Sequence, residues 1–125
     1  MIDRINVPGL KDWGKHGCHV TRAGPHVWVS GIVGMRPDGT VPAATGEQFD
    51  VAISILDECL RAAGADARHV TKMQVYLTDI GERPLLGPRR LAYFGEYPPA
   101  STLVEVSALV DPRFTVEIDC QAYID

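Results

Sequence analysis

The sequence lacks the features that mark several large classes of protein. Its only cysteines are Cys18, Cys59 and Cys120, and no CxxC pair occurs, so neither a zinc ribbon nor a redox dithiol is predicted. No run approaches the ~18 apolar residues of a membrane span, and no charged leader precedes an apolar stretch. Basic residues are too few for a surface that follows nucleic-acid phosphates, since 12 Lys and Arg stand against 16 Asp and Glu. We therefore expect a cytoplasmic protein without membrane or nucleic-acid partners.

Established catalytic motifs are also missing. The chain has no GxSxG elbow, no HExxH helix, no Walker loop and no GxGxxG turn. His16, His19 and His26 lie close in sequence, but no acidic or histidine ligand follows at a matching offset. A metal site is therefore not predicted.

What remains is the composition of a single folded domain. The chain has 125 residues, 46% of them hydrophobic, and a formal net charge of -4. This hydrophobicity is typical of globular proteins and excludes a disordered chain. A chain of this length has room for one core, so we expect one domain over residues 1–125.

Turn signals and periodicity divide the chain into strands and two helices. Thr45 and Gln48 have the spacing of a capping box, apolar residues then recur at helical intervals, and Gly64 supplies a stop. A second helix is predicted near residues 85–97, with its regular part starting at Pro88. Strands are predicted over residues 1–6, 19–23, 26–30, 70–77, 102–107 and 115–123.

This order of elements predicts an α+β fold with one face of the sheet uncovered. Two helices can cover only one face of such a sheet, so the other face must meet solvent or another subunit. In the last strand, alternation places Glu117, Asp119 and Gln121 on the uncovered face. We therefore expect self-association through this face, with a ligand cleft between subunits.

Few polar residues sit where chemistry is plausible. Ser30 ends a strand directly before Gly31, where a hydroxyl and a backbone N–H can converge on a ligand. Ser101 and Thr102 open a strand after a pair of prolines, and Glu105 and Glu117 lie on the two C-terminal strands. A single Ser or Glu in a strand is more often structural, so the pattern alone assigns no role.

A series of short motifs resembles the RidA/YjgF family of imine and enamine deaminases. The resemblance lies in their order and spacing from about Gly17 to Tyr123. The motifs are Val29-Ser30-Gly31, Ala62-Ala63-Gly64, Val75-Tyr76-Leu77-Thr78-Asp79, Tyr93-Phe94, Pro99-Ala100-Ser101-Thr102-Leu103-Val104-Glu105-Val106 and Val116-Glu117-Ile118.

The resemblance implies a fold, an assembly and a set of roles. It implies a chorismate-mutase-like mixed sheet with two helices on one face, in a homotrimer that binds small molecules in clefts between its subunits. Ser30 and Gly31 match the family's serine-glycine pair, and Glu117 matches the glutamate that positions the attacking water. Leu103 matches a residue whose backbone touches the ligand. Imine hydrolysis by these groups requires neither a metal nor an organic cofactor.

The chain departs from the family pattern at two positions. The tyrosine of active members has no counterpart, and Cys18 is the nearest residue in its region. The arginine that binds the substrate carboxylate is replaced by Ser101, which removes two charge-assisted hydrogen bonds of roughly 1.5–3 kcal/mol each. Either another cation takes its place or the ligand differs. The candidates for a cation that binds the carboxylate instead are Arg22, Arg89, Arg90 and Arg113.

Two functions follow from this reading. One is a hydrolytic deaminase of a small imine or enamine. The other is a trimeric metabolite-binding protein that has lost the arginine-dependent chemistry.

Overall fold

Six strands and two α-helices follow one another in the computed structural model, which describes residues 1–125. The first half of the chain forms β1 (Ile2–Ile5), β2 (Val20–Ala23), β3 (His26–Val33) and α1 (Thr45–Ala62). The second half forms β4 (Val70–Leu77), α2 (Gly87–Phe94), β5 (Ala100–Glu105) and β6 (Val116–Tyr123). Neither helix is long and apolar enough to cross a membrane.

The strands form one mixed sheet in the order β1-β2-β3-β6-β4-β5. All neighbouring pairs are antiparallel except β4 and β5, which are parallel. A parallel pair needs a crossover connection, and the segment containing α2 provides it. The predicted α+β class is therefore confirmed, and β5 forms one edge of the sheet.

Both helices pack on the same face of this sheet. The apolar side of α1 is buried, with Phe49, Ala52 and Leu56 fully inaccessible, and the helix ends before Gly64, whose φ is +85°. Phe94 of α2 belongs to the same cluster of buried residues. The helices also bond to each other directly, since the Tyr93 hydroxyl donates to Asp57 at 2.8 Å. The other face of the sheet carries no helix, as predicted.

The second helix is shorter than the predicted range 85–97. Its regular part is confirmed to begin close to Pro88, which stands in the first turn. It ends before Gly95, whose φ is +57°. A 3₁₀ helix over Ile80–Leu85 precedes it and contains Pro84. The prolines and Gly95 therefore confine α2 to eight residues.

The predicted capping box at the start of α1 is wrong. The N-cap is Ala44, and no side chain caps the helix. The Gln48 amide is instead fully buried and donates to the carbonyl oxygens of Pro42 at 2.8 Å and Arg113 at 2.9 Å. Its Oε1 accepts from the Thr115 N–H at 3.0 Å. The Gln48 side chain therefore bonds to these three backbone groups and does not form the local box. The three bonds satisfy a side-chain amide that would otherwise be buried without partners.

We predict that Gln48→Leu lowers the free energy of unfolding by about 2–4 kcal/mol, because it leaves one buried and two partly buried backbone groups without partners. Urea titration monitored by circular dichroism measures the loss. The matched control is Ser54→Ala on the exposed side of the same helix, where a change within about 0.5 kcal/mol is expected. Equal stability of the two variants would contradict the role given to Gln48.

Candidate functional site

A bulge in β3 places Ser30 and Gly31 outside the regular ladder. The register with β6 shifts between Val29 and Ile32, so both intervening residues leave the pairing. The Ser30 N–H donates to the His19 carbonyl at 3.0 Å, and the Ser30 hydroxyl donates to the Cys18 carbonyl at 2.5 Å. Bulges of this kind re-aim side chains and are common beside active sites. The sequence-predicted residues Cys18, Ser30 and Gly31 are therefore neighbours.

Glu117 of β6 lies directly against this bulge. A Cβ built on Gly31 would stand 2.7 Å from the Glu117 Oε2, closer than two such atoms can approach. Only glycine therefore leaves the carboxylate where it is. Glu117 joins the group formed by Cys18, Ser30 and Gly31.

The Glu117 carboxylate is half-buried and accepts no hydrogen bond from the chain. Burial raises its pKa above the ordinary value, and the nearby Asp119 charge adds to that rise. Asp119 differs in being held, since it accepts a hydrogen bond from the Tyr76 hydroxyl at 3.0 Å. Glu117 is therefore the carboxylate on this face with free acceptor atoms and a raised affinity for a proton.

A cavity of about 380 Å³ lies beside the bulge. Its walls include Ser30 and Gly31 together with Trp13 and two cations, Lys11 and Arg36. Sequence reasoning missed these last three residues, because they come from irregular segments that carry no motif.

His19 organises the loop that lines this cavity. Its Nδ1 accepts from the Val7 N–H at 2.8 Å, and its Nε2 lies 2.6 Å from the Lys11 carbonyl oxygen. Both contacts are satisfied only by a neutral ring with the proton on Nε2. His19 thus fixes the path of residues 7–11.

No group of three or more His, Cys, Asp or Glu side chains in the structure is arranged to hold a metal ion.

The remaining predicted residues, Ser101, Thr102 and Leu103, lie on β5 and are not brought to this group. Two strand spacings, about 10 Å, separate β5 from β6. Ser101 and Leu103 are on the helix-covered face, because they pair in register with buried residues of β4. Thr102 is on the open face, where its hydroxyl accepts from the Lys72 Nζ at 2.8 Å. Within one chain the predicted site is therefore split in two.

Three of the four candidate cations are already engaged. Arg22 donates to the carbonyl oxygens of Gly24 and Ala63 at 2.9 and 2.7 Å. Arg89 and Arg113 form ion pairs with acidic side chains. Arg90 makes no ion pair or side-chain hydrogen bond, although it is half-buried, and burial lowers its pKa.

Comparison with known proteins is decisive for the family. The family model Endoribonuclease L-PSP matches residues 16–124. The chain belongs to the RidA/YjgF family. It is 35% identical over 85 residues to the 2-iminobutanoate/2-iminopropanoate deaminase of Rattus norvegicus, a match that covers 66% of this chain but only 62% of the rat protein. It is also 35% identical over 104 residues to Protein DfrA of Myxococcus xanthus, covering 80% of this chain and 77% of that one.

A solved structure agrees with this membership. Rv2704 of Mycobacterium tuberculosis, a member of the YjgF/YER057c/UK114 family, superposes with a TM-score of 0.87 at 26% identity. The superposition covers 99% of this chain and all of the other. The RidA fold therefore accounts for the whole chain, including the edge strand β5.

We predict that Glu117→Gln raises the melting temperature of this RidA protein at pH 7. The folded-state pKa of Glu117 lies above its ordinary value of 4.5. The protonated side chain therefore contributes fully to the stability of the folded protein below pH 4.5. This contribution is lost as the pH rises through the folded-state pKa. Because the group is half-exposed, we expect a gain of only about 1–3 °C at pH 7.

Thermal melts between pH 4 and pH 8 measure this difference. The gain should shrink towards zero at the acid end, where both side chains are neutral. The control is Glu58→Gln on the exposed side of α1, which should show no such pH-dependent gain. A variant less stable than the parent at pH 7 would contradict the assignment.

Proposed function

We propose that this protein is a cofactor-independent hydrolase that deaminates a small imine or enamine. The observation that carries the proposal is the half-buried Glu117 carboxylate, free of hydrogen bonds and adjacent to Gly31. The names of relatives support the same chemistry, since the rat and human matches are both 2-iminobutanoate/2-iminopropanoate deaminases. Those matches cover 62% of each relative, so activity and substrate are proposals for this chain.

The reaction needs one positioned water and one group that moves a proton. Glu117 holds the water and accepts its proton as the water oxygen attacks the imine carbon. The electron pair of the C=N bond moves to nitrogen, which receives the proton that Glu117 took from the water. The hydroxyl of the tetrahedral adduct then gives its proton, again through Glu117, to the amino group. The C–N bond breaks, ammonia leaves, and the former hydroxyl oxygen forms the carbonyl group. The raised pKa of Glu117 suits this exchange, because the group takes up and releases protons closer to neutral pH.

We place this reaction in a cleft between subunits of a chorismate-mutase-like homotrimer. Glu117 on β6 is two strand spacings from the predicted ligand-binding residues of β5, and Ser30 and Gly31 on β3 are three. A second copy that brings its β5 edge to the bulge would complete the site. The open face supports association as well, because it holds the buried Gln74 Oε1, which has no partner within the chain. We also keep the cytoplasm as the proposed location.

A second candidate function is binding without turnover. Ser101 favours it, because a hydroxyl provides no charge at the position where active relatives are expected to bind the substrate carboxylate. The trimer would then hold a small metabolite in the same cleft. We favour hydrolysis because the freely accepting Glu117 has no evident use in a simple binder. RNA cleavage, which the name of the family model suggests, is disfavoured by the net charge of -4.

We predict that Glu117→Gln abolishes ammonia release from imines generated in situ by an amino-acid oxidase. The expected loss of rate above background is at least about 100-fold, as for removal of a general base. The matched control is Asp119→Asn, which alters a carboxylate on the same face that Tyr76 already holds. That variant should retain most of the rate, because burial, the main cause of the raised Glu117 pKa, is unchanged when the smaller contribution of the Asp119 charge is removed. Release that survives Glu117→Gln unchanged would overturn the mechanism, and a parent protein that only binds would favour the second function.

We predict that Gly31→Ala lowers this rate about 10-fold or more without unfolding the protein, since misplacement by about 1 Å can cost that much. The new methyl group would displace the Glu117 carboxylate, the movable end of a side chain. Gly34→Ala is the contrast, because its Cβ would overlap the Gln48 backbone of α1 and therefore destabilise the fold. Melting temperature and ammonia release, measured together, separate the two effects. Full activity in Gly31→Ala would contradict the placement of Glu117.

A further inference from the structure

The cavity beside the bulge lies on the helix-covered side of β3, away from Glu117. Ile32 of β3 and Ile55 and Cys59 of α1 form part of its wall. Glu117 does not line it, because alternation along β6 turns that side chain to the open face of the sheet. The cavity therefore meets the candidate site only at the bulge.

One wall of this cavity is a loop that the fold holds in place. Lys11 and Trp13 line the cavity from this loop, whose path His19 fixes through its two hydrogen bonds. The Asp12 carboxylate accepts a further bond from the Gly14 N–H at 2.7 Å. The volume of about 380 Å³ lies within the range of small-molecule sites, which are usually largely pre-formed in this way.

The cavity has positive charge and no negative charge in its wall. Lys11 and Arg36 are among its 14 lining residues, which include no Asp or Glu. The Lys11 Nζ stands 4.9 Å from the centroid of the Trp13 ring, and Arg36 donates to the Thr40 hydroxyl at 3.3 Å. The nearby Asp38 carboxylate already accepts two hydrogen bonds from Thr40. In a chain with a net charge of -4, such a cavity attracts anions.

The remaining wall suits a flat apolar body. Half of the lining residues are hydrophobic, and the Trp13 side chain is 43% exposed, so its ring is open to a ligand. Aromatic rings gain from offset or edge contacts with an indole in addition to the burial of apolar area. A ligand that fits both the wall and its charge therefore combines an aromatic ring with an anionic group.

We propose that this cavity is a second ligand site, which binds a small aromatic molecule that carries one anionic group. The ring packs against Trp13 and the apolar wall, and Lys11 and Arg36 bind the anionic group through charge-assisted hydrogen bonds. The site uses no residue of α2 or β5. It is also independent of the proposed hydrolysis, since its ligand contacts the bulge from the side opposite Glu117.

Binding of para-toluenesulfonate to the intact protein tests the proposal. The chain has two tryptophans, and Trp28 lies on the open face, so Trp28→Phe leaves Trp13 as the single fluorescent reporter beside the cavity. The sulfonate should change the Trp13 fluorescence in a saturable way. Para-toluenesulfonamide has the same ring and is neutral at pH 7. It should bind about 3- to 10-fold more weakly, the range for partly exposed charged hydrogen bonds.

Two variants in the Trp28→Phe background identify the cations. Lys11→Gln and Arg36→Gln should each weaken sulfonate binding about 3- to 10-fold and leave sulfonamide binding unchanged. The matched control is Arg83→Gln, which removes the same charge from an exposed position outside the cavity. Its sulfonate affinity should stay within about twofold of the parent. Equal circular dichroism spectra would show that all variants are folded.

Three results would overturn the inference. They are unchanged Trp13 fluorescence, equal affinity for the sulfonate and the sulfonamide, and sulfonate binding that neither Lys11→Gln nor Arg36→Gln weakens. Glu117→Gln should bind the sulfonate as the parent does, and a changed affinity would place the anion beside Glu117 and contradict this site. Sulfonate binding in a parent protein that releases no ammonia from any imine would contradict the proposed hydrolysis alone.

Discussion

The structure depends on one constraint, which is that both helices cover the same face of a six-stranded sheet. The covered face forms the core, and strands β3, β6 and β4 alternate between buried apolar residues and side chains on the open face. On β6 and β4 most side chains of the open face are polar and half-buried, whereas β3 contributes exposed residues that include Trp28. The polar groups of this face bond in cross-strand pairs where they can: Lys72 with Thr102, Gln74 with Gln121 and Tyr76 with Asp119. Glu117 is the carboxylate of this face that the pairing leaves free.

That free carboxylate links stability to chemistry. Burial raises the pKa of Glu117, so its ionised form lowers the stability of the folded chain. The same environment gives Glu117 the raised proton affinity on which the proposed hydrolysis depends. Gly31 allows the close approach, since any side chain there would occupy the space of the carboxylate. Proteins commonly accept lower stability at the residues that carry their function.

Most of the fold could be predicted from the sequence, because its signals are local. The apolar spacing in α1 and the alternation in β6 identify both elements, and Gly24-Pro25 marks the hairpin of β2 and β3. The end of β3 could not be predicted, since the bulge at Ser30 depends on pairing with β6. The capping box predicted with Gln48 was wrong for the same reason, because the partners of this side chain, Arg113 and Thr115, are more than 60 residues away.

The three thiols differ in how readily they can be chemically modified. Cys59 and Cys120 are buried, and burial raises their pKa to about 11 and about 12, so neither readily forms a thiolate. Cys18 is the one thiol that solvent reaches, and its carbonyl oxygen accepts the Ser30 hydroxyl. Oxidants and alkylating reagents would therefore attack the chain first beside the bulge, while the core stayed intact. A modified Cys18 would therefore stand next to Ser30, and its effect would fall on the bulge before it fell on the core.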